Sequence, residues 1–462
     1  MAQRLRSIAL PLALLAAVSV LSLGARIAWL GQPCHSPCRS STDHLLVFDE
    51  AYYVNAARVI AGIAPPANEN YATASLGDDP NAEHPQLMKL MIAGSIELFG
   101  DGPLAWRLAS IVFGSLAILG MFALVRAAGG SDWLGVVAAA LMAFDNLLLV
   151  HGRIGTLDVP VLGTMIWAAV LYLRGRPLAA GAVIGVGSCI KLVAPYTVLV
   201  LVLFELVRIV GRGRGRAMRS LWSSPAARLG ACTATAAGVF VGLLAILDRI
   251  APPYDPVTNK LLAAGPFHHI AHMLSYAAHQ SSPHGPKGIA SYPWTWLVDY
   301  KPIDYLTINP AHPTASLFDI HPAVHFIGMI SPPIMLLAVP SLVIVGWGFV
   351  VRRRPPARSV SAPFLDDPGS RRDTREARPE GDIAIVGLAW FLGTFVPFVL
   401  LSVLYSRTSY LYYMIVVMPG IYLTVTYVLY RARRYRKLIV LWAGTVLAAA
   451  IVMYPLTPIP LP

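Results

Sequence analysis

The chain is a succession of apolar stretches, most of them long enough to cross a bilayer, separated by polar segments in which arginines cluster. About 20 apolar residues in a helix span the hydrocarbon core, and only helices or closed barrels satisfy their backbone groups there. The first stretch, Ile8 to Leu30, follows Arg4 and Arg6. It is long for a signal-peptide core and no small-residue cleavage site follows, so it reads as an uncleaved first helix with its N-terminus inside. Further stretches fall at 105–125, 133–150, 156–173, 178–191, 192–210, 229–249, 326–351, 383–404, 409–430 and 437–455. Of 462 residues, 56% are hydrophobic and 13% charged, where a soluble domain carries about a quarter charged. The expectation is an all-α polytopic membrane protein with about eleven crossings.

Arginine placement orients it. The segment 86–100 is apolar but short, and contains Lys89 and Glu97. If it lies along the interface, then Arg126, Arg174 and Arg176, the Arg208–Arg219 cluster, Arg352–Arg354 with Arg371–Arg378, and Arg431–Lys437 all fall inside, as the positive-inside rule requires. If it crosses, every later cluster moves outside. We therefore read 86–100 as an interfacial amphipathic helix, with the C-terminus outside and two large outer loops at 31–104 and 250–325. The inner segment 352–382 is a basic, proline-rich linker. This gives three parts: 1–250 with the first outer loop 31–104, the second outer loop 251–325, and C-terminal helices 326–462. The net charge of +12 belongs to the orientation signal, and no nucleic-acid motif accompanies it. Cys34 and Cys38 flank His35 just past the first stretch. A local disulfide and two free thiols are both open, while the set is too small for a closed zinc site.

With this topology, polar residues converge on the outer face. Asp49, Glu50, Glu83, His84 and Lys89 come from the first loop. Arg107 opens the second span, Arg153 and Asp158 lie in a short turn, and Lys191 sits at a later outer junction. Ionisable groups at span ends mark functional sites by default. Lys191 and Arg107 also fit as interfacial anchors, a role too distant for the short Asp158 side chain. An acid at the interface can take a proton from an acceptor hydroxyl, and cations beside it can receive charge on a phosphate leaving group. The set fits glycosyl transfer from a lipid-linked donor. Asp49 and Glu50 also fit a pair capping the helix that follows, and the two roles are compatible.

The order of motifs adds a resemblance. Phe48-Asp49-Glu50, then Glu83-His84-Pro85-Gln86-Leu87-Met88-Lys89, then Phe99-Gly-Asp-Gly-Pro-Leu-Ala-Trp106-Arg107, resembles the protein O-mannosyltransferase family. Arg153-Ile-Gly-Thr-Leu-Asp158 is similar to that family's Arg-x4-Asp turn, and His279-Gln-Ser-Ser-Pro283 with Ser291-Tyr-Pro-Trp294-Thr-Trp296 to its second-loop segment. The resemblance implies a GT-C glycosyltransferase fold with about eleven transmembrane helices and two large outer loops. It implies Asp49 as catalytic base with Glu50 orienting it or touching the acceptor, and Lys89 and Arg107, with His84 close by, as candidates for the donor phosphate. Glu83, His279 and Trp294 join them as substrate-binding candidates, and Arg153 with Asp158 as a supporting pair. No metal and no cofactor is required in principle beyond a polyprenyl-phosphate sugar, because cationic side chains can stabilise the leaving phosphate; a divalent ion held between a first-loop Asp and Asp158 is the minority alternative.

Gln86 and Met88 stand where this family commonly has the second Pro and the Gly of its His-Pro-Pro-Leu-Gly-Lys motif, and His284-Gly285 where an aromatic pair is common. The large soluble sugar-binding insert of eukaryotic members is absent, which points to a bacterial-type plasma-membrane enzyme. The expected function is inverting transfer of a hexose, most simply mannose, to Ser/Thr hydroxyls of exported proteins at the outer face. The alternative with the same donor modifies a lipid or cell-wall glycan. A secondary transporter would instead place its charges at the bilayer midplane, on broken helices.

Overall fold

The computed structural model describes residues 2–35, 38–212, 224–256, 258, 260–299, 301–307, 325–352, 380–454 and 460–461. Most of the basic linker 352–382, part of the Arg208–Arg219 cluster, and positions 308–324 of the second loop lie outside them. In order, the helices are α1 (Ala2–Ile27), α2 (Glu50–Ile60), α3 (Leu87–Phe99), α4 (Pro103–Ala127), α5 (Asp132–Ala143), α6 (Asn146–His151), α7 (Asp158–Leu173) and α8 (Pro177–Ser188). They continue as α9 (Tyr196–Arg212), α10 (Pro225–Ile250), α11 (Pro266–His279), α12 (Pro332–Arg352), α13 (Ile383–Tyr405), α14 (Met418–Arg431) and α15 (Arg436–Met453). This is a multi-pass integral membrane protein. Among the described residues, six helices are long and apolar enough to cross on composition and length alone: α1, α4, α10, α12, α13 and the segment ending in α15. Shorter helices occupy the other apolar stretches.

Local chemistry sets the ends. Pro103, Pro177 and Pro225 open α4, α8 and α10 at positions where a missing N–H costs nothing. Ser131 and Ser224 cap α5 and α10 by accepting from Leu134 and Ala227. The stretch 133–150 is not one helix. Asp145 accepts from the Leu147 amide at 2.9 Å and starts α6 afresh, breaking the span. The stretch beginning at 326 also departs from expectation. Residues 325–328 pair antiparallel with Ile303–Thr307, and helix α12 begins only at Pro332. The stretch 409–430 starts as a 3-10 turn, Leu411–Val416, before α14.

Helices α4, α5, α7, α13 and α14 form the buried centre, with α1, α10 and α15 at the lipid-facing rim. Small residues allow close approach: side chains at Gly181 and Gly185 of α8 would collide with α10, and one at Gly420 of α14 with α13.

Both long loops, the α6–α7 and α8–α9 turns and the α13–α14 connection meet on one face. The first loop is stitched to the second where Asp79 N donates to Pro252 O and Tyr254 N to Asp79 O, each at 2.8 Å. The second loop is stitched to the α13–α14 connection by Thr408 N donating to Gln280 O at 3.0 Å and Ser291 N to Ser409 O at 2.9 Å. Helix α3, at 13 residues, is too short to cross alone and packs against α2 and α4. Cys34 and Cys38 form a disulfide on this loop face.

Candidate active site

Val47-Phe48 leads into α2 with Phe48 in the left-handed region, φ 54°, a conformation that bulky residues rarely adopt. The turn sends the next two acids in different directions. Glu50 is fully buried, and its carboxylate is saturated. It accepts from Arg107 Nε and Nη2 at 2.8 Å each, from Val47 N at 2.8 Å and from Gly155 N at 2.7 Å. Asp49, at the N-cap position, makes no capping bond with its side chain and is partly exposed. Desolvation, then the nearby negative charge of Asp158, pushes its carboxyl up to about 7, with Lys191 pulling the other way.

Asp158 is the first residue of α7 and is 2% exposed. Its Oδ1 accepts from Lys191 Nζ at 2.6 Å. That ammonium also lies 5.5 Å and 5.6 Å from the ring centroids of Tyr412 and Tyr413, a cation–π arrangement. Behind Asp49, Phe48 stacks on Tyr305 at 4.2 Å, and Tyr305 shares a 2.7 Å hydrogen bond with His151.

A cavity of about 520 Å³ opens beside this cluster. Asp158, Lys191, Glu83, His84, Arg407 and Tyr413 form its polar part. Its apolar wall comes from Leu192, Met273, Leu274, Phe398, Leu401 and Val416, on α11, α13 and the α8–α9 and α13–α14 connections. Glu83 accepts from Asn81 Nδ2 at 2.8 Å, and burial raises its carboxyl. Burial, aided by Lys191, Lys89 and Arg407, drives His84 well below the usual histidine range.

Of the residues expected from sequence, the structure gathers Asp49, Glu83, His84 and Asp158 at this site, together with Lys191. It does not bring Lys89, Arg107 or Arg153 to the cavity. Lys89 is fully buried and donates to Asp79 Oδ2 at 2.5 Å and to the carbonyls of Asn81 and His84 at 2.5 Å and 2.8 Å. Arg107 is spent on Glu50 and the carbonyls of Leu30 and Gln32. Arg153 does not pair with Asp158: it donates to the Tyr454 hydroxyl and Ala28 O, both at 2.9 Å. Glu50, so fully engaged, has no face left for an acceptor. His279 bonds the carbonyl of Ser275 in its own helix, and Trp294 is 46% exposed, stacked on Tyr292 at 4.5 Å. Arg407 was missed. It lines the cavity and its guanidinium donates to Ala277 O of α11. The signal existed: it is an arginine between two spans on the face opposite the basic clusters.

The arrangement is an unsaturated acid and two cations at the end of an apolar cavity within a helical bundle, and solved structures share the fold that holds it. The S. cerevisiae protein O-mannosyltransferase Pmt1-Pmt2 complex bound to the sugar donor superposes with a TM-score of 0.64 at 12% identity, covering 96% of this chain and 89% of that one. ArnT from Cupriavidus metallidurans in the apo state gives 0.50 at 19% identity, covering 92% and 61%.

In sequence, residues 83–235 match the family described as dolichyl-phosphate-mannose-protein mannosyltransferase. A Corynebacterium glutamicum polyprenol-phosphate-mannose–protein mannosyltransferase is 35% identical over 118 residues, 24% of this chain and 22% of that relative's length. Its Mycolicibacterium smegmatis namesake is 24% identical over 396 residues, 74% and 72% of the two chains. The family match is thus confined to residues 83–235, about a third of the chain.

Proposed function

We propose that this protein is an inverting glycosyltransferase that moves mannose from a polyprenyl-phosphate carrier to Ser/Thr hydroxyls of exported proteins, at the outer face of the membrane. One observation carries the reading. Asp49, its carboxyl near 7, stands beside a cavity whose polar end holds Lys191 and Arg407 and whose walls are otherwise apolar. The apolar walls suit an isoprenoid chain, and the two cations suit the phosphate at its head.

In the reaction, Asp49 accepts the proton of the acceptor hydroxyl as the oxygen attacks the anomeric carbon. The bond between that carbon and the phosphate oxygen breaks on the opposite side, and the electron pair leaves with the phosphate. Lys191 and Arg407 receive the developing charge. Attack opposite the leaving group inverts the anomeric centre. A base with pKa near the working pH is partly ionised yet still basic enough to take a proton. With side-chain cations on the leaving group, the step calls on no metal. The Cys34–Cys38 disulfide on the same face suits an oxidising compartment, which supports the outer location.

The test supplies membranes containing the protein with radiolabelled polyprenyl-phosphate mannose and a Ser/Thr-rich peptide, beside Asp49→Asn. Label should reach the peptide only with the unmodified protein. Equal transfer by both forms removes Asp49 as the base, and no transfer from any lipid-linked sugar removes the class.

A further inference from the structure

Asp158 carries an unmet demand. It is 2% exposed, and while Oδ1 is held by Lys191 at 2.6 Å, Oδ2 has no hydrogen-bond partner among the described residues. A buried carboxylate oxygen left unpaired is costly, and this one belongs to a residue lining the cavity beside the base. The remaining partner must be a donor. On the reading above, the cavity receives a polyprenyl-phosphate hexose. Its lipid is apolar and its phosphate offers acceptors of the same charge as Asp158. The only hydrogen-bond donors such a molecule has are the hydroxyls of its sugar.

Which hydroxyl follows from Lys191. That ammonium touches Asp158 at 2.6 Å and also lines the cavity, so a phosphate on Lys191 places the anomeric carbon within a side chain's reach of Asp158. The hydroxyl nearest the anomeric carbon is the one on C2. We propose that Asp158 Oδ2 accepts a hydrogen bond from the 2-hydroxyl of the donor hexose and is a specificity-determining residue of this site. Mannose and glucose differ in the orientation of that hydroxyl, so the contact selects between them. A site built around a substrate hydroxyl rejects the analogue lacking it, because its own buried group is then left bare. The inference rests on the proposed donor class.

The experiment compares polyprenyl-phosphate mannose with its 2-deoxy, 3-deoxy, 4-deoxy and 6-deoxy analogues and with polyprenyl-phosphate glucose, for the unmodified protein and Asp158→Asn. For the unmodified protein, kcat/KM should fall by at least about 100-fold for the 2-deoxy and glucosyl donors, and by much less for the others. In Asp158→Asn, transfer of mannose should itself be slow, and the 2-deoxy penalty should shrink to within a few-fold of one, the mark of a coupled pair in a double-mutant cycle. An unchanged 2-deoxy penalty in the variant overturns the proposal, as does a penalty that collapses at another carbon. So does loss of mannosyl transfer in a chelator with recovery on adding a divalent cation, because Oδ2 would then be a metal ligand. If Asp158→Asn does not fold, the unmodified protein still decides: equal rates with mannosyl and 2-deoxy donors overturn the contact. In each of these cases except failure to transfer mannose at all, the proposed activity survives.

Discussion

Glu50 and Asp49 are neighbours in the chain, and they head two differently built regions of one face. Around Glu50 every charge is closed off. Its carboxylate meets Arg107 in a bidentate pair and two backbone amides, and a little further on Lys89 is enclosed by Asp79 and two carbonyls, with both side chains fully buried. Around Asp49 the charges are left unfinished. Asp49 lacks a capping bond, Asp158 has one oxygen without a hydrogen-bond partner among the described residues, and Lys191 and Arg407 line open space. Residue types are the same in the two regions, so type does not separate them. Saturation does: a buried ion pair with all its partners can fix geometry, but chemistry needs a group with valence to spare. The closed region anchors the first loop next to Asp49, which lies within electrostatic reach of the cavity residues Asp158 and Lys191.

The largest effect expected is on transfer by Asp49→Asn. Removing a general base costs about 10²–10⁴-fold in rate, and the variant should express and fold as its parent does, with no loss of stability, since no capping bond is lost. Next comes Glu50→Ala. Leaving Arg107 buried without its partner costs about 3–5 kcal/mol, and thermal unfolding in detergent should show the loss even where no substrate is present. If Glu50→Ala were instead fully stable but inactive, the division between the regions would fail. Smaller again is Arg407→Ala. A hydrogen bond to a charged group is worth about 1.5–3 kcal/mol, so KM for the lipid donor should rise about 10- to 100-fold with a lesser change in kcat. An unchanged KM would return Arg407 to a purely structural contact with α11.

Much of this was legible in the sequence. Apolar length gave the helical bundle, because bilayer thickness acts on composition. The motif Phe48-Asp49-Glu50 lies beside the cavity-lining pair Asp158 and Lys191. What one chain's sequence could not reveal was pairing. Arg107 with Glu50 is a contact across 57 positions, and Lys191 with Asp158 one across 33. The expected Arg153–Asp158 pair, five positions apart, was plausible by proximity in sequence but lost to helix geometry, since α7 begins at Asp158 and carries it toward Lys191. Asp145 interrupts an apolar run without lowering its hydropathy much, so the break in the third span was hidden. Gln86, a departure from the family pattern, finds its reason in space: its Nε2 donates to Asp248 Oδ1 at 2.7 Å, and the same oxygen bonds His269 of α11 at 2.7 Å. The substitution ties the first loop to the second.

The smallest effect sharpens the comparison most, because it concerns stability at a residue chosen for chemistry. In the unfolded chain Asp49 ionises near 3.9, whereas in the folded protein it does so at about 7. Between those values the folded state holds a proton that the unfolded state has released. Stability therefore falls as pH rises through this window, and the full cost is present above pH 7. Asp49→Asn removes the cost. Because Asp49 is partly exposed, solvent screening reduces the gain, and we expect the variant to melt only about 1–3 °C higher than its parent at pH 8, with no difference at pH 4. The parent's transfer rate should rise with pH across the same window and level off above 7, as ionisation of one base requires. Melting curves that coincide from pH 4 to 8 would mean that Asp49 is as well solvated as an ordinary surface acid, and the contrast with Glu50 would then rest on hydrogen bonding alone.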